Sequence, residues 1–149
     1  MMSAVDLRTE PTRERILLLE DEVHVATVLQ VVLKEAGYRV DWAATGQKAL
    51  ELLAQASYDL LLADLYLPDM DGLEVVRVAR EQRPQLKVIV MTGYSSLTSA
   101  VAALRLGTSD YLEKPFTEQE ITAAIEKVLQ QEGEGGLPPD NLPTPVWKF

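Results

Sequence analysis

The chain contains no cysteine. Disulfides, thiolate metal sites and a cysteine nucleophile are therefore excluded. Long apolar runs are also missing. Ile16–Leu19 and Val88–Met91 span four residues each, whereas a membrane span needs about 20, so no membrane segment is expected. The first 14 residues, MMSAVDLRTEPTRE, hold no apolar stretch that would serve as a signal peptide. Together these absences point to the cytoplasm. Positive charge is scarce: 14 Lys and Arg against 23 Asp and Glu leave a net charge of −9. Residues 1–14 carry −1 and residues 132–149 carry −2, so −6 falls on the 117 residues between them. Such a surface repels nucleic acid phosphates, and this part of the chain is not expected to bind DNA itself. The same carboxylates are well suited to collect a divalent cation.

What remains is an ordinary globular composition, 47% hydrophobic and 25% charged over 149 residues. That length allows one domain and a tail. Short β-like runs alternate with helical patterns. The runs are Arg15–Glu20, Tyr38–Ala43, Tyr58–Asp64, Leu86–Thr92 and the shorter Ser109–Leu112. The first, third and fourth are nearly continuous in aliphatics, the pattern of parallel strands covered on both faces. Between them lie amphipathic stripes. Val25, Val28, Leu29, Val32, Leu33 and Ala36 share a helical face that Gly37 terminates. Further helices are expected over Gln47–Ala56, over Asp71–Arg83 before Pro84, and over Ser95–Leu106 before Gly107. The third has Leu73, Val76 and Ala79 inward; the fourth has Leu97, Ala100, Val101 and Leu104 on one stripe. The fifth, Thr117–Gln131, opens on a capping box formed by Thr117 and Glu120.

Five βα units predict an α/β fold, a flavodoxin-like (βα)5 doubly wound parallel sheet. The strand order expected for five strands is 2-1-3-4-5. In such sheets ligands bind at the carboxyl ends of the strands, where the order reverses, here between the first and third strands. Residues 1–14 read as a flexible extension and residues 15–131 as the domain. Residues 132–149, EGEGGLPPDNLPTPVWKF, hold 3 Gly and 4 Pro and read as a linker or tail. Val146, Trp147 and Phe149 close that tail, either as a floppy end or as a segment that docks or leads into a further module.

The strand ends carry chemistry. Glu20 and Asp21 follow the first strand, Asp64 ends the third, Thr92 ends the fourth, and Lys114-Pro115 follows the fifth. In a parallel sheet these ends share one edge. Two carboxylates about 5 Å apart at an effective dielectric of 20 repel by roughly 3 kcal/mol. Glu20, Asp21 and Asp64 would thus share a small site only with a cation. Oxygen ligands of high charge suit Mg²⁺, which takes one or two protein carboxylates and leaves its other positions to water and phosphate oxygens. A cation beside a lysine is equipment for phosphoryl transfer, and a carboxylate can itself be the nucleophile. Singly, an Asp at a strand end is usually a turn or cap residue and a Lys before Pro is usually solvated. Their shared position on separate strands is what raises them above that.

These residues resemble the receiver domain of bacterial response regulators, over about residues 15–131. ILLLEDE resembles the family's first strand and acidic pair. YDLLLADLYLPDMDG resembles its phosphoacceptor strand, with Pro68, Asp71 and Gly72 at the family's spacing. VIVMTG resembles the switch strand, and DYLEKPF the fifth strand with its Lys-Pro. The resemblance implies that Asp64 accepts a phosphoryl group from a sensor histidine kinase or phosphotransfer protein. It implies that Asp21, Asp64 and the Tyr66 carbonyl ligate Mg²⁺, with Glu20 assisting. Lys114 would contact the phosphoryl oxygens, Thr92 would turn inward to bond them, and Tyr111 would follow Thr92. Pro115 would follow a cis peptide bond. Such a domain catalyses only its own phosphorylation and dephosphorylation. Its usual output surface is the fourth helix, fifth strand and fifth helix, where Arg105, Asp110 and Lys127 are expected and where homodimers can form.

Tyr66 and Tyr94 stand two residues after Asp64 and Thr92, at positions where the family varies. His24, the sole histidine, reads as a helix-surface residue rather than a phosphodonor, and Trp42 as packing. An aspartate-nucleophile phosphatase would place a second Asp where Tyr66 stands. A flavin mononucleotide carrier would need Ser, Thr and Gly where Glu20, Asp21 and Glu22 stand. The output is either a DNA-binding effector beyond these residues or protein contacts made by a stand-alone receiver.

Overall fold

Strand and helix alternate five times over residues 13–131, the part of the chain that the computed structural model describes. The order is β1 (Arg15–Leu19), α1 (Val23–Glu35), β2 (Arg39–Ala43), α2 (Gly46–Gln55), β3 (Leu60–Asp64), α3 (Gly72–Gln82), β4 (Lys87–Thr92), α4 (Leu97–Arg105), β5 (Asp110–Glu113) and α5 (Glu118–Gln130). The tail expected over 132–149, with Val146, Trp147 and Phe149, lies outside the described residues, as does all but the last two residues of the expected extension. The five strands form one parallel sheet in the order β2-β1-β3-β4-β5.

Side chains alternate across a strand, and this divides the core in two. Ile16 and Leu18 of β1, Leu60 and Leu62 of β3, and Ile89 and Met91 of β4 face α1 and α5. Leu17, Leu19, Leu61, Ala63, Val88 and Val90 face the other way, onto Ala49 and Leu53 of α2 and Val75, Val76 and Ala79 of α3. Aliphatic residues on both faces are why β1, β3 and β4 show no polar alternation.

Helix ends are set by local chemistry. Thr45, Asp71, Ser96 and Thr117 each accept a backbone N–H in the first turn of the helix they precede. Thr117 and Glu120 form the reciprocal capping box. Gly37 and Gly107 adopt φ of 101° and 79°, the left-handed conformation that follows α1 and α4.

Three expected inward positions face solvent, one of them Ala36, which caps the end of α1. Val28 is 56% exposed, because the buried stripe of α1 runs through Ala26, Leu29, Val32 and Leu33, one residue step around the helix. Leu97 is 81% exposed, because α4 rests lightly on the sheet and fully buries only Ala103. The fifth strand is displaced by one residue from its expected span, and the other strands are one or two residues shorter than expected. Tyr58 and Asp59, for example, lie outside β3 because the Asp59 backbone N–H turns to the Arg15 carbonyl (2.8 Å) while its carboxylate accepts the Arg15 N–H (2.8 Å).

Gly72 allows the backbone of α3 to meet the end of β3. Its N–H donates to the Leu65 carbonyl at 2.8 Å. A β-carbon there would fall on the Asp64 carbonyl oxygen and within 2.5 Å of the Leu65 Cα. Both neighbours are backbone and have little room to shift. Gly72→Ala is expected to destabilise the fold by about 1–3 kcal/mol, measured as a lower urea midpoint with unchanged slope.

Candidate functional site

Register alone brings distant residues level. Leu19 of β1 lies opposite Ala63 of β3, so Glu20 is level with Asp64. Asp64 lies opposite Met91, and Thr92 opposite Glu113. The Lys114 N–H continues that ladder to the Thr92 carbonyl at 2.8 Å. The Lys114–Pro115 peptide bond is cis.

Glu20 and Thr92 are fully buried, and Asp64 is 5% exposed. Lys114 lies between the two carboxylates. Its Nζ donates to Glu20 Oε1 at 2.7 Å and to Asp64 Oδ2 at 2.8 Å. The second oxygen of each acid is also engaged. Glu20 Oε2 accepts the Glu22 N–H and Asp64 Oδ1 the Tyr66 N–H, both at 3.0 Å. Burial pushes the Glu20 carboxyl above its ordinary value, against the pull of Lys114 and the Glu22 amide. Burial pulls the Lys114 ammonium down, but the hydrogen bonds it donates to Asp64 and Glu20 outweigh that and hold it above its ordinary value.

Asp21 lies exposed at the rim, and carboxylate oxygens of Glu20, Asp21 and Asp64 all fall within 4.8 Å of one another. Three acids around one ammonium leave an excess of negative charge in a mostly buried pocket. An all-oxygen donor set with that excess fits a hard divalent cation. Thr92 Oγ1 accepts the Tyr94 N–H at 3.0 Å, its one hydrogen bond among the described residues. Across the mouth, Tyr66 and Tyr94 form an edge-to-face pair, with centroids 5.1 Å apart at 74°. The Tyr66 hydroxyl donates to the Tyr94 carbonyl at 3.3 Å.

The sequence profile of the response regulator receiver domain matches residues 16–126. The chain belongs to the response regulator receiver family. Among its receiver relatives, the transcriptional regulatory protein ZraR of Escherichia coli K12 is 38% identical over 114 residues, covering 76% of this chain and 26% of that protein. The uncharacterized transcriptional regulatory protein YkoG of Bacillus subtilis is 40% identical over 118 residues, covering 79% of this chain and 52% of that one. The chain thus spans between a quarter and about half of these relatives. A CheY-like receiver domain protein from Methanospirillum hungatei superposes with a TM-score of 0.81 at 32% identity, covering 84% of this chain and 100% of that one. The response regulator TrrA of Thermotoga maritima, solved in complex with Mg²⁺-BeF, superposes with a TM-score of 0.71 at 31% identity over 77% of this chain and 98% of that one.

In this receiver domain the fold brings together Glu20, Asp21, Asp64 and Lys114, with Thr92 ending the adjacent strand. Tyr111 lies apart from the carboxylates. Its hydroxyl lies 2.9 Å from Ser99 Oγ and donates to Ser95 Oγ at 3.3 Å. Arg105 and Lys127 are exposed, while Asp110 is half-buried and accepts the Tyr111 N–H. His24 is exposed. Trp42 does more than pack: its Nε1 donates to the Glu20 carbonyl at 2.7 Å and holds the end of β1. No helix among the described residues is long and apolar enough to cross a membrane.

Sequence reasoning missed Asp69. Its two carboxylate oxygens accept the Gly46 and Gln47 N–H groups, each at 2.9 Å. The loop after β3 is thereby tied to the first turn of α2. An acid beside Pro68 signals a turn, but nothing local reveals a partner 23 residues away. The Gln47 and Gly46 amides hold this carboxyl below its ordinary value of 3.8. Asp69 therefore stabilises the fold above that value, and the contribution is lost as pH falls through the lower folded value. Asp69→Asn is expected to lower the melting temperature at neutral pH, and the gap from wild type should close in strong acid. Thermal scans across pH check this.

Proposed function

We propose that Asp64 accepts a phosphoryl group from the phosphohistidine of a sensor histidine kinase or phosphotransfer protein. The observation that carries this reading is a nearly buried Asp64 carboxylate bonded to Lys114 and set among two further acids. A carboxylate oxygen attacks phosphorus in line. The new P–O bond forms as the P–N bond to the donor imidazole breaks, and the electron pair returns to that ring. Lys114 stays beside the reacting oxygens and offsets the charge on the phosphoryl group. Glu20, Asp21 and Asp64, with the Tyr66 carbonyl, are the groups that would hold Mg²⁺. When bound, Mg²⁺ neutralises charge shared by the carboxylates and the phosphoryl oxygens.

The product is an acyl phosphate with added negative charge on Asp64. Thr92, ending the neighbouring strand, offers a hydroxyl to that charge once it leaves the Tyr94 amide. Tyr111 then changes place, and the surface of α4, β5 and α5 alters its affinity for a partner or a second copy. The domain acts catalytically on itself alone. The named relatives are transcriptional regulators longer than this chain, which supports control of a DNA-binding effector, and the net charge of −9 supports a domain that does not itself touch DNA; we place it in the cytoplasm.

Asp64→Asn should show no mass increase after incubation with acetyl phosphate or a phosphorylated kinase, where the wild type gains one phosphoryl group. Full labelling of the variant would move the phosphoacceptor elsewhere. Lys114→Ala leaves Glu20 and Asp64 without their ammonium. In the absence of divalent cation it should lose about 3 kcal/mol of stability in urea, and added Mg²⁺ should recover part of that loss.

A further inference from the structure

The five helices differ in how firmly the core holds them. Ala26, Leu29, Val32 and Leu33 anchor α1, and Ile121, Ala124, Ile125 and Val128 anchor α5. Only Ala103 is buried in α4. The position of α4 therefore depends on what holds its ends. Near its C-terminus, the Thr108 hydroxyl donates to the Ala103 carbonyl at 3.0 Å. At its N-terminus, Ser96 and Ser99 form a capping box, with the Ser99 N–H on Ser96 Oγ at 3.1 Å.

Ser99 has a second duty. Its Oγ lies 3.3 Å from the Ser96 nitrogen, 3.1 Å from Ser96 Oγ, 3.2 Å from the Ser96 carbonyl and 2.9 Å from the Tyr111 hydroxyl. A serine hydroxyl offers one proton and two lone pairs. It cannot serve all of these neighbours fully at once. The nearest of them, the phenol, competes with the groups that close the first turn of α4. Ser99 is half-buried on the face that meets β5, so the competition takes place where solvent only partly relieves it.

We propose that Ser99 is a positioning residue for Tyr111, its hydroxyl coupling the place of the phenol to the closure of the first turn of α4. The inference rests on Tyr111 being the group that moves when Asp64 is phosphorylated. While the phenol sits on Ser99, it shares that oxygen with the Ser96 N–H, whose 3.3 Å bond is the longer arm of the capping box. When the phenol leaves, the hydroxyl returns wholly to Ser96 and the turn tightens. The weakly anchored helix feels this at its N-terminus, next to exposed Tyr94 and Leu97.

The test is a double-mutant cycle on the whole chain, read by NMR hydrogen exchange of the Ser96 backbone amide, which donates to Ser99 Oγ, without any phosphoryl mimic. Tyr111→Phe removes the hydroxyl and keeps the ring. It should slow exchange by up to about fivefold, the size of one neutral hydrogen bond. In a Ser99→Ala background the same change should have no effect, and Ser99→Thr should restore it. An equal effect of Tyr111→Phe in both backgrounds, or none in either, overturns the coupling. A second arm titrates beryllofluoride with Mg²⁺. Ser99→Ala should bind more tightly than wild type, again by up to about fivefold, because the anchor of the unphosphorylated arrangement is gone. Equal affinity overturns the role of Ser99 in the switch. Wild-type protein that takes up no beryllofluoride overturns the assignment of Asp64 instead, and the exchange cycle still decides on Ser99.

Discussion

One ammonium holds the carboxyl edge of this sheet together. Lys114 stands between Glu20 and Asp64, two acids that would otherwise repel each other across a poorly solvated gap. Coulomb repulsion between neighbouring carboxylates in a poorly solvated pocket costs several times the thermal energy. The fold accepts that cost at this edge, and it places the counter-charge just after a different strand from either acid. The site is therefore coupled to the sheet. Any movement of β5 relative to β1 and β3 alters the field at Asp64, and any change of charge at Asp64 is felt by β5.

The rest of the architecture serves that arrangement. Aliphatic layers on both faces fix β1, β3 and β4 in register, and register sets Glu20 level with Asp64. Trp42 holds the Glu20 carbonyl, and Asp69 ties the loop after β3 to α2. Rigidity is concentrated at these acid-bearing ends. On the other side of the site, α4 is joined to the core chiefly through Ala103, the Ser99–Tyr111 hydroxyl contact and the Thr108 bond to the Ala103 carbonyl. Firm packing at the acid cluster and loose packing at α4 is the distribution a switch requires.

Much of this was readable in the residues. Continuous aliphatic runs identified the strands that are covered on both faces, and the helical stripes and caps placed the connections between them. From those followed the strand order and the shared edge of Glu20, Asp21, Asp64, Thr92 and Lys114. Helix rotation was less legible. Val28 and Leu97 match a helical stripe by spacing, yet spacing does not say which of two adjacent rows meets the sheet. The contacts of Asp69, Trp42 and Ser99 were not legible at all. Each joins a polar group to a partner that only the assembled fold brings near, and short polar side chains in loops and first turns have many local alternatives.

The bond between Lys114 and Glu20 joins residues 94 positions apart. Nearly every element of the chain lies between them. During synthesis, β1 through β4 are all translated before Lys114. A nascent or truncated polypeptide ending before that residue holds Asp64 without the cation that tempers it. The charge balance of this edge is thus completed only after the last strand has been made.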